Sequence, residues 1–435
     1  MRDFESYYAA GAAWAAHADP YSTAIWQYER TIPGVDSTRN EVLPFVGPPP
    51  YLPLWALFSR MPFATSALLW GALLLGLSLT LFIALLRYAE SLSIGALLSG
   101  ACLFAGFGPF TSDLALGQAA LLSFVACAGA TLMLERVPSV SAIWTFFAAV
   151  QPNIAIALLS QTTGKRAWQI FGIALAAFVA LSVACIGAPG VRAYIGGLSA
   201  HGQAERFVLI QMTVPAIAYG FGVAPAAARA LGLLAALSAV ILWLWLLRMP
   251  YVGRVWKLAA TFALLPFAAP FFHEHDFLVL LLPAILCATL STNRVWSIAA
   301  TGTLLAGIDW LGLAQRPDGL LQSFLLACAL LAGFFALGEG SWRRLFAPGV
   351  VLLLLLALGF AVRGHAAPVW PDAMQGTPAV AGSIATLWHD ELARTGQFAV
   401  QPLWAGLRLL TLAGAALLAW ASIATALRRD QMEMS

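Results

Sequence analysis

The chain has 435 residues, of which 61% are hydrophobic and only 10% charged, with a mean hydropathy of +0.82. No soluble fold covers that much apolar surface with polar side chains, so the composition excludes a soluble globular protein and makes the lipid bilayer the first expected partner. The net charge of +3 is small and the basic residues are scattered, which leaves no nucleic-acid footprint. All five cysteines (Cys102, Cys127, Cys185, Cys287 and Cys328) lie in apolar runs, so neither a disulfide framework nor a cysteine-based zinc site is expected.

Residues 1 to 65 lack the basic start and short apolar core of a cleavable signal peptide. Within them, DFESYYAAGAAW predicts a helix with Phe4, Tyr7, Tyr8, Gly11 and Trp14 near one face. HADPYS and GPPPYLPLW follow, and the prolines of the latter predict extended backbone up to the first span. Apolar runs long enough for a bilayer lie at about 66 to 87, 93 to 110, 117 to 134, 167 to 187, 228 to 247, 256 to 272, 276 to 291, 295 to 313, 320 to 338, 344 to 362 and 403 to 427. Residues 139 to 164 carry Pro152 in their middle, which removes a helix hydrogen bond and predicts two half-helices. The expected fold class is therefore all-α, a polytopic transmembrane helical bundle of about eleven full spans plus that broken pair. Its divisions are an extracytoplasmic segment at 1–65, a core at 66–362 with an inserted loop at 188–227, a loop at 363–401, and a last span with a cytoplasmic tail at 402–435.

Charge sets the expected orientation. If 1 to 65 lie outside and 139 to 164 enters and returns, the cytoplasmic ends carry Arg87, Arg136, Lys165, Arg166, Arg248, Arg254, Lys257, Arg294, Arg343, Arg344, Arg428 and Arg429. That is the positive-inside pattern of short loops. One full span over 139 to 164 would put Lys165 and Arg166 outside and invert every later loop. With the returning pair, all six histidines and most acidic residues fall on or near the extracytoplasmic side. An amino terminus that starts outside with no helix before it is hard to translocate, which predicts a first helix upstream of Met1; the alternative is a short tail that crosses with the first hairpin.

The polar regions on that side are 1 to 65, then 188 to 227 with His201, Glu205 and Arg206, then 363 to 401 with VWPDAM and LWHDELARTG, which predicts an interfacial amphipathic helix. FFHEHDF at 271 to 277 adds His273, Glu274, His275 and Asp276 at the lip of the membrane, where unpaired charge is expensive. An H-x-H on a tight turn with no other matched ligand pair is not assigned to a metal. Gly117 and Gln118 open a span just after Asp113, and the glutamine amide can bind a sugar hydroxyl or cap its neighbours. The arginines on the outer side are Arg192, Arg206, Arg316 and Arg363, whose guanidinium groups suit an anion, with Arg206 favoured by its closeness to His201 and Glu205.

Taken together, D-F-x-x-Y-Y-x-A, a following P-Y, a Y/P-rich segment before a helix, a later G-Q pair and a helix pair with x-P at its turn resemble the polyprenol-phosphate-mannose-dependent glycosyltransferases, family 87 of the GT-C superfamily. The matching residues are Asp3, Phe4, Tyr7, Tyr8, Pro20, Tyr21, Pro49, Tyr51, Gly117, Gln118 and Pro152, with FFHEHDF beside them. The resemblance runs over roughly the first two thirds of the chain. The chain departs from it in two places: the family has a helix before the aspartate and often a lysine where this chain has Gln151.

The resemblance implies a GT-C-like bundle in the inner (plasma) membrane that moves a sugar, mannose first, from a polyprenyl-phosphate donor to a glycolipid or glycan acceptor, with inversion and without a cofactor. Such chemistry needs a base at the acceptor hydroxyl and donors or cations around the leaving phosphate. Asp3 is the candidate base; Tyr7, Tyr8, Gln118, His273, His275 and Arg206 are the candidate donor- and acceptor-binding residues. The alternative is a polytopic transporter or lipid flippase, which expects ionisable residues near the midplane of several helices; the span interiors hold almost none. A non-catalytic scaffold gives no reason for Asp3, Gln118 and His273 to share a side.

Overall fold

A chain this apolar can satisfy its backbone within a bilayer only by forming helices or a closed barrel. The computed structural model describes residues 1–32, 43–310, 319–338, 342–362, 365 and 383–433, and every regular element among them is helical. The opening segment forms α1 (Arg2–Ala15), with Phe4, Tyr7 and Gly11 buried on one face and Tyr8 and Trp14 partly buried beside them. After α2 (Ile25–Arg30), the proline-rich stretch departs from its expected extended form. Pro48 is extended, but Pro49–Tyr51 is a 3₁₀ turn leading into α3 (Leu52–Ser59). The prolines occupy first-turn positions, where a missing N–H costs nothing and the fixed φ suits the helix. Helix α1 lies so close on α3 that a Cβ on Gly11 would stand 2.1 Å from the Trp55 carbonyl carbon. Phe4 stacks on Trp70 and Tyr7 on Trp55, with centroids 5.9 Å and 4.8 Å apart. Burying such rings away from water is worth roughly 1.5–3 kcal/mol each, so the segment is anchored and not a loose tail.

Helix α4 (Phe63–Tyr88) runs from this cluster to Arg87. The span expected at 93 to 110 is instead α5 (Ile94–Gly106) and α6 (Gly108–Leu116), bent by 71° where Phe107 leaves helical geometry and Pro109 starts the next turn. Gly117 ends α6 in the left-handed conformation, and Gln118 precedes α7 (Ala120–Met133), so the pair sits in a connection and does not open the helix. Helix α8 (Pro138–Ala148) turns at 149–151 into α9 (Pro152–Ala155) and a 3₁₀ stretch, Ile156–Gln161. Ser141 donates to the Ala130 carbonyl and Ser123 to that of Ala148, so α8 runs antiparallel to α7. Arg254 bonds Gln161, and Glu135 pairs with both Arg166 and Arg254, which brings the far ends of α7, the broken pair and the next two spans to one end of the molecule. Helix α10 (Lys165–Ala204) is continuous except at Gly187, whose φ of 69° and ψ of 166° only glycine adopts readily. The expected span at 167 to 187 stops there, and the second half carries His201 onward.

The rest of the bundle comprises α11 (Val214–Gly220), α12 (Pro225–Leu247), α13 (Arg254–Ala268), a 3₁₀ turn His275–Leu280, α14 (Leu281–Leu290), α15 (Asn293–Ala306), α16 (Gly319–Leu337), α17 (Phe346–Val362), α18 (Ile384–Arg394) and α19 (Pro402–Glu433). Five helical stretches among the described residues are long and apolar enough to cross a membrane: Phe63–Tyr88, Lys165–Ala204, Pro225–Leu247, Trp342–Val362 and Pro402–Arg428; counting the bent pair makes six. This is an integral membrane protein, but length and composition do not reproduce the expected eleven spans. Helices α7, α13, α14 and α15 have 10 to 15 residues, short of the roughly 20 a bilayer asks for. Their side chains are buried by neighbouring helices, and a buried helix is apolar all round for the same reason a lipid-facing one is. Hydropathy alone cannot separate the two. The long helices do show a lipid face, with Leu68, Ile173, Leu233 and Leu353 exposed.

Candidate active site

Asp3 lies in the first turn of α1, where a helix favours a negative charge. Its side chain does not cap the helix; Gln118 Nε2 donates to Asp3 Oδ2 across 115 residues of sequence. The orientation of that amide is fixed from the other side, because the Tyr7 hydroxyl donates to Gln118 Oε1 at 2.7 Å. The Trp70 indole N–H bonds the Gly117 carbonyl at 2.9 Å and steadies the connection that carries Gln118. Asp3, Gln118 and Tyr7 thus form one chain of hydrogen bonds. Burial pushes the Asp3 carboxyl above its usual range, opposed in part by Arg2, the Gln118 hydrogen bond and His273, so the group is a stronger base than an exposed aspartate.

The facing wall comes from the turn before α14 and from the end of α10. Glu205, fully enclosed, accepts from His201 Nε2 (3.2 Å) and Trp388 Nε1 (2.5 Å) on one oxygen, and from Gln211 Nε2 (2.8 Å) and His273 Nε2 (3.1 Å) on the other. Burial works against the charge, but His201 and His273 outweigh it and hold Glu205 well below the carboxylate range. The same contact reverses the effect of burial on His273 and raises its proton affinity. A carboxylate only accepts, so Nε2 is the protonated nitrogen of His273 and Nδ1 is left free of Glu205. Backbone pairing of Gln211 with His273, and the Met212 N–H to the Phe272 carbonyl at 2.7 Å, tie the two segments together. Arg408 of α19 is buried beneath them and donates to the carbonyls of Leu209 and Gln211.

Both walls border one cleft of about 450 Å³, lined among others by Arg2, Asp3, Tyr7, Gln118, Gln151, Glu205, His273 and His275. Of the residues singled out from sequence, Asp3, Tyr7, Gln118, His273 and His275 therefore meet. Tyr8 and Arg206 do not line it. The Tyr8 hydroxyl donates to the Met61 carbonyl and its ring packs on Phe63, which is a structural use. Arg206 and Arg192 lie away from the cleft, and Arg316 and Arg363 fall outside the described residues. Helix α18 covers LWHDELAR as expected, but it docks Trp388 and Leu392 into the protein as well as being amphipathic; VWPDAM lies outside the described residues.

Sequence reasoning missed Arg2 as the cleft's cation and Glu205 as its anchor. The i,i+4 spacing of His201 and Glu205 was the available signal for the anchor. A second cavity of about 490 Å³, lined by Trp14, Tyr21, Phe45 and Tyr194, shares Val46 and His201 with the cleft. No protein-family model matches the chain, and no curated protein or solved structure is detectably similar to it.

Proposed function

We propose that the protein is a membrane glycosyltransferase that moves a sugar, with mannose the first to test, from a polyprenyl-phosphate donor to a glycolipid or glycan acceptor on the extracytoplasmic face. The observation that carries this reading is the Tyr7–Gln118–Asp3 chain of hydrogen bonds opposite a histidine bonded to Glu205, on one cleft. Asp3 takes the proton of the acceptor hydroxyl, the oxygen attacks the anomeric carbon, and the bond from that carbon to the phosphate oxygen breaks with inversion. The polyprenyl phosphate leaves with the bonding pair, and its growing negative charge meets Arg2 from one wall of the cleft and His273 from the other. The adjoining aromatic cavity has the amphipathic ring faces that sugar acceptors stack on.

The purified full-length protein in lipid nanodiscs should transfer sugar from a polyprenyl-phosphate donor with no nucleotide present. Transfer seen only with a nucleotide sugar would reject the reading. Substrate movement across proteoliposomes without any covalent product would favour a transporter or flippase instead.

A further inference from the structure

We propose that His273, His275 and Asp276 form a binding site for a divalent transition-metal ion of the zinc type, with an open coordination position facing the cleft. One ligating atom from each of the three lies within 4.8 Å of the others. The turn that carries them is built to hold them there. The His273 N–H and the Asn153 amide donate to Asp276 Oδ2 at 2.8 Å and 3.2 Å. Gln151 also faces this carboxylate, yet among the described residues Asp276 Oδ1 has no hydrogen-bond donor within bonding distance. His275 Nε2, 3.9 Å away, has no hydrogen-bond partner among the described residues either. Asp276 is fully buried and His275 is 7% exposed, and leaving two such polar atoms unsatisfied in the interior costs about 1–3 kcal/mol each.

A metal ion satisfies both atoms at once. Imidazole nitrogen and carboxylate oxygen at about 2.0–2.2 Å would bring the donors to about 3.4 Å from one another, so side-chain shifts of about an ångström close the site. The third donor would be His273 Nδ1, because Glu205 occupies Nε2, and a carboxylate on one ring nitrogen is the usual arrangement when the other binds metal. A further carboxyl, that of fully buried Asp113, lies within electrostatic reach of Asp276 and Asp3. Two nitrogens and one oxygen suit zinc over magnesium or calcium, and three protein ligands leave a position open. His273 and His275 line the cleft while Asp276 stands behind them, so the open position faces the cleft and would take a phosphate oxygen. That last step rests on the glycosyltransferase reading; the metal site does not.

The test uses metal-free full-length protein in nanodiscs, with Zn²⁺ for calorimetry and Co²⁺ as the spectroscopic probe, and no donor or acceptor. One equivalent should bind, Co²⁺ should give visible d–d bands, and X-ray absorption of the zinc form should show two imidazoles in the coordination shell. Asp276→Asn and His275→Ala should weaken binding about 100-fold or more, and Glu205→Gln about 10- to 100-fold. Absence of stoichiometric binding, or a zinc shell without two imidazoles, overturns the site; the second measurement needs no variant and stands even if a variant fails to fold. Inorganic phosphate should shift the Co²⁺ bands. Unchanged bands would overturn the open position while leaving the glycosyltransferase assay to be judged separately.

Discussion

On one wall of the cleft Asp3 is held by a neutral amide; on the other, His273 is held by a carboxylate. The first arrangement leaves most of the desolvation of Asp3 uncompensated and its carboxyl moves up. The second compensates burial with direct contact between opposite charges, so Glu205 stays ionised and His273 gains proton affinity. Burial is common to both walls. What differs is the partner, and that difference is enough to make one wall a base and the other a cation.

Three substitutions break or sharpen this contrast. Asp3→Asn keeps the size and the bond to Gln118 but removes the base, so transfer should fall by roughly 10² to 10⁴ while the thermal midpoint, followed by size-exclusion fluorescence, stays put. Near-normal turnover by the folded variant would take Asp3 out of the mechanism. Glu205→Gln should behave in the opposite sense. It takes the carboxylate from buried His201 and partly buried His273, and breaking a buried pair costs about 3–5 kcal/mol, so a large drop in thermal midpoint is expected. A stable Glu205→Gln protein would mean that the facing wall is not held by charge.

The smallest effect belongs to Gln118→Leu. The lost hydrogen bond favoured the ionised form of Asp3, so the carboxyl should rise further and less of it is ionised at a given acidic pH. The acid limb of the pH–rate profile should therefore move to higher pH, with a loss at neutral pH of about 3- to 10-fold, the scale of an ordinary net hydrogen bond. A shift to lower pH would show that Gln118 does not bond the base.

The sequence made the helical character, the amphipathic α1, the break at Pro152 and the two walls legible, because each leaves a local trace: a repeat near 3.6, a proline, a run of ionisable residues at a membrane lip. The span count was not legible, since the apolar runs of α13 and α14 are covered by protein and hydropathy does not say by what. Nor was Tyr8 separable from Tyr7. They are neighbours in sequence, and only tertiary packing turns one toward Gln118 and the other toward the Met61 carbonyl. Arg408 carried no signal at all, being one cation at the start of an apolar helix.

That arginine also sets an order of events during synthesis. The segment at 208–212 and the turn at 271–276 emerge from the ribosome long before their clamp does, since Trp388 and Arg408 come from the last two helices. Until residue 388 has been made Glu205 lacks one of its donors, and until residue 408 has been made the carbonyls of Leu209 and Gln211 lack theirs. A nascent chain therefore carries Asp3 with no finished wall opposite until α19 has been made, and the cleft becomes complete only then.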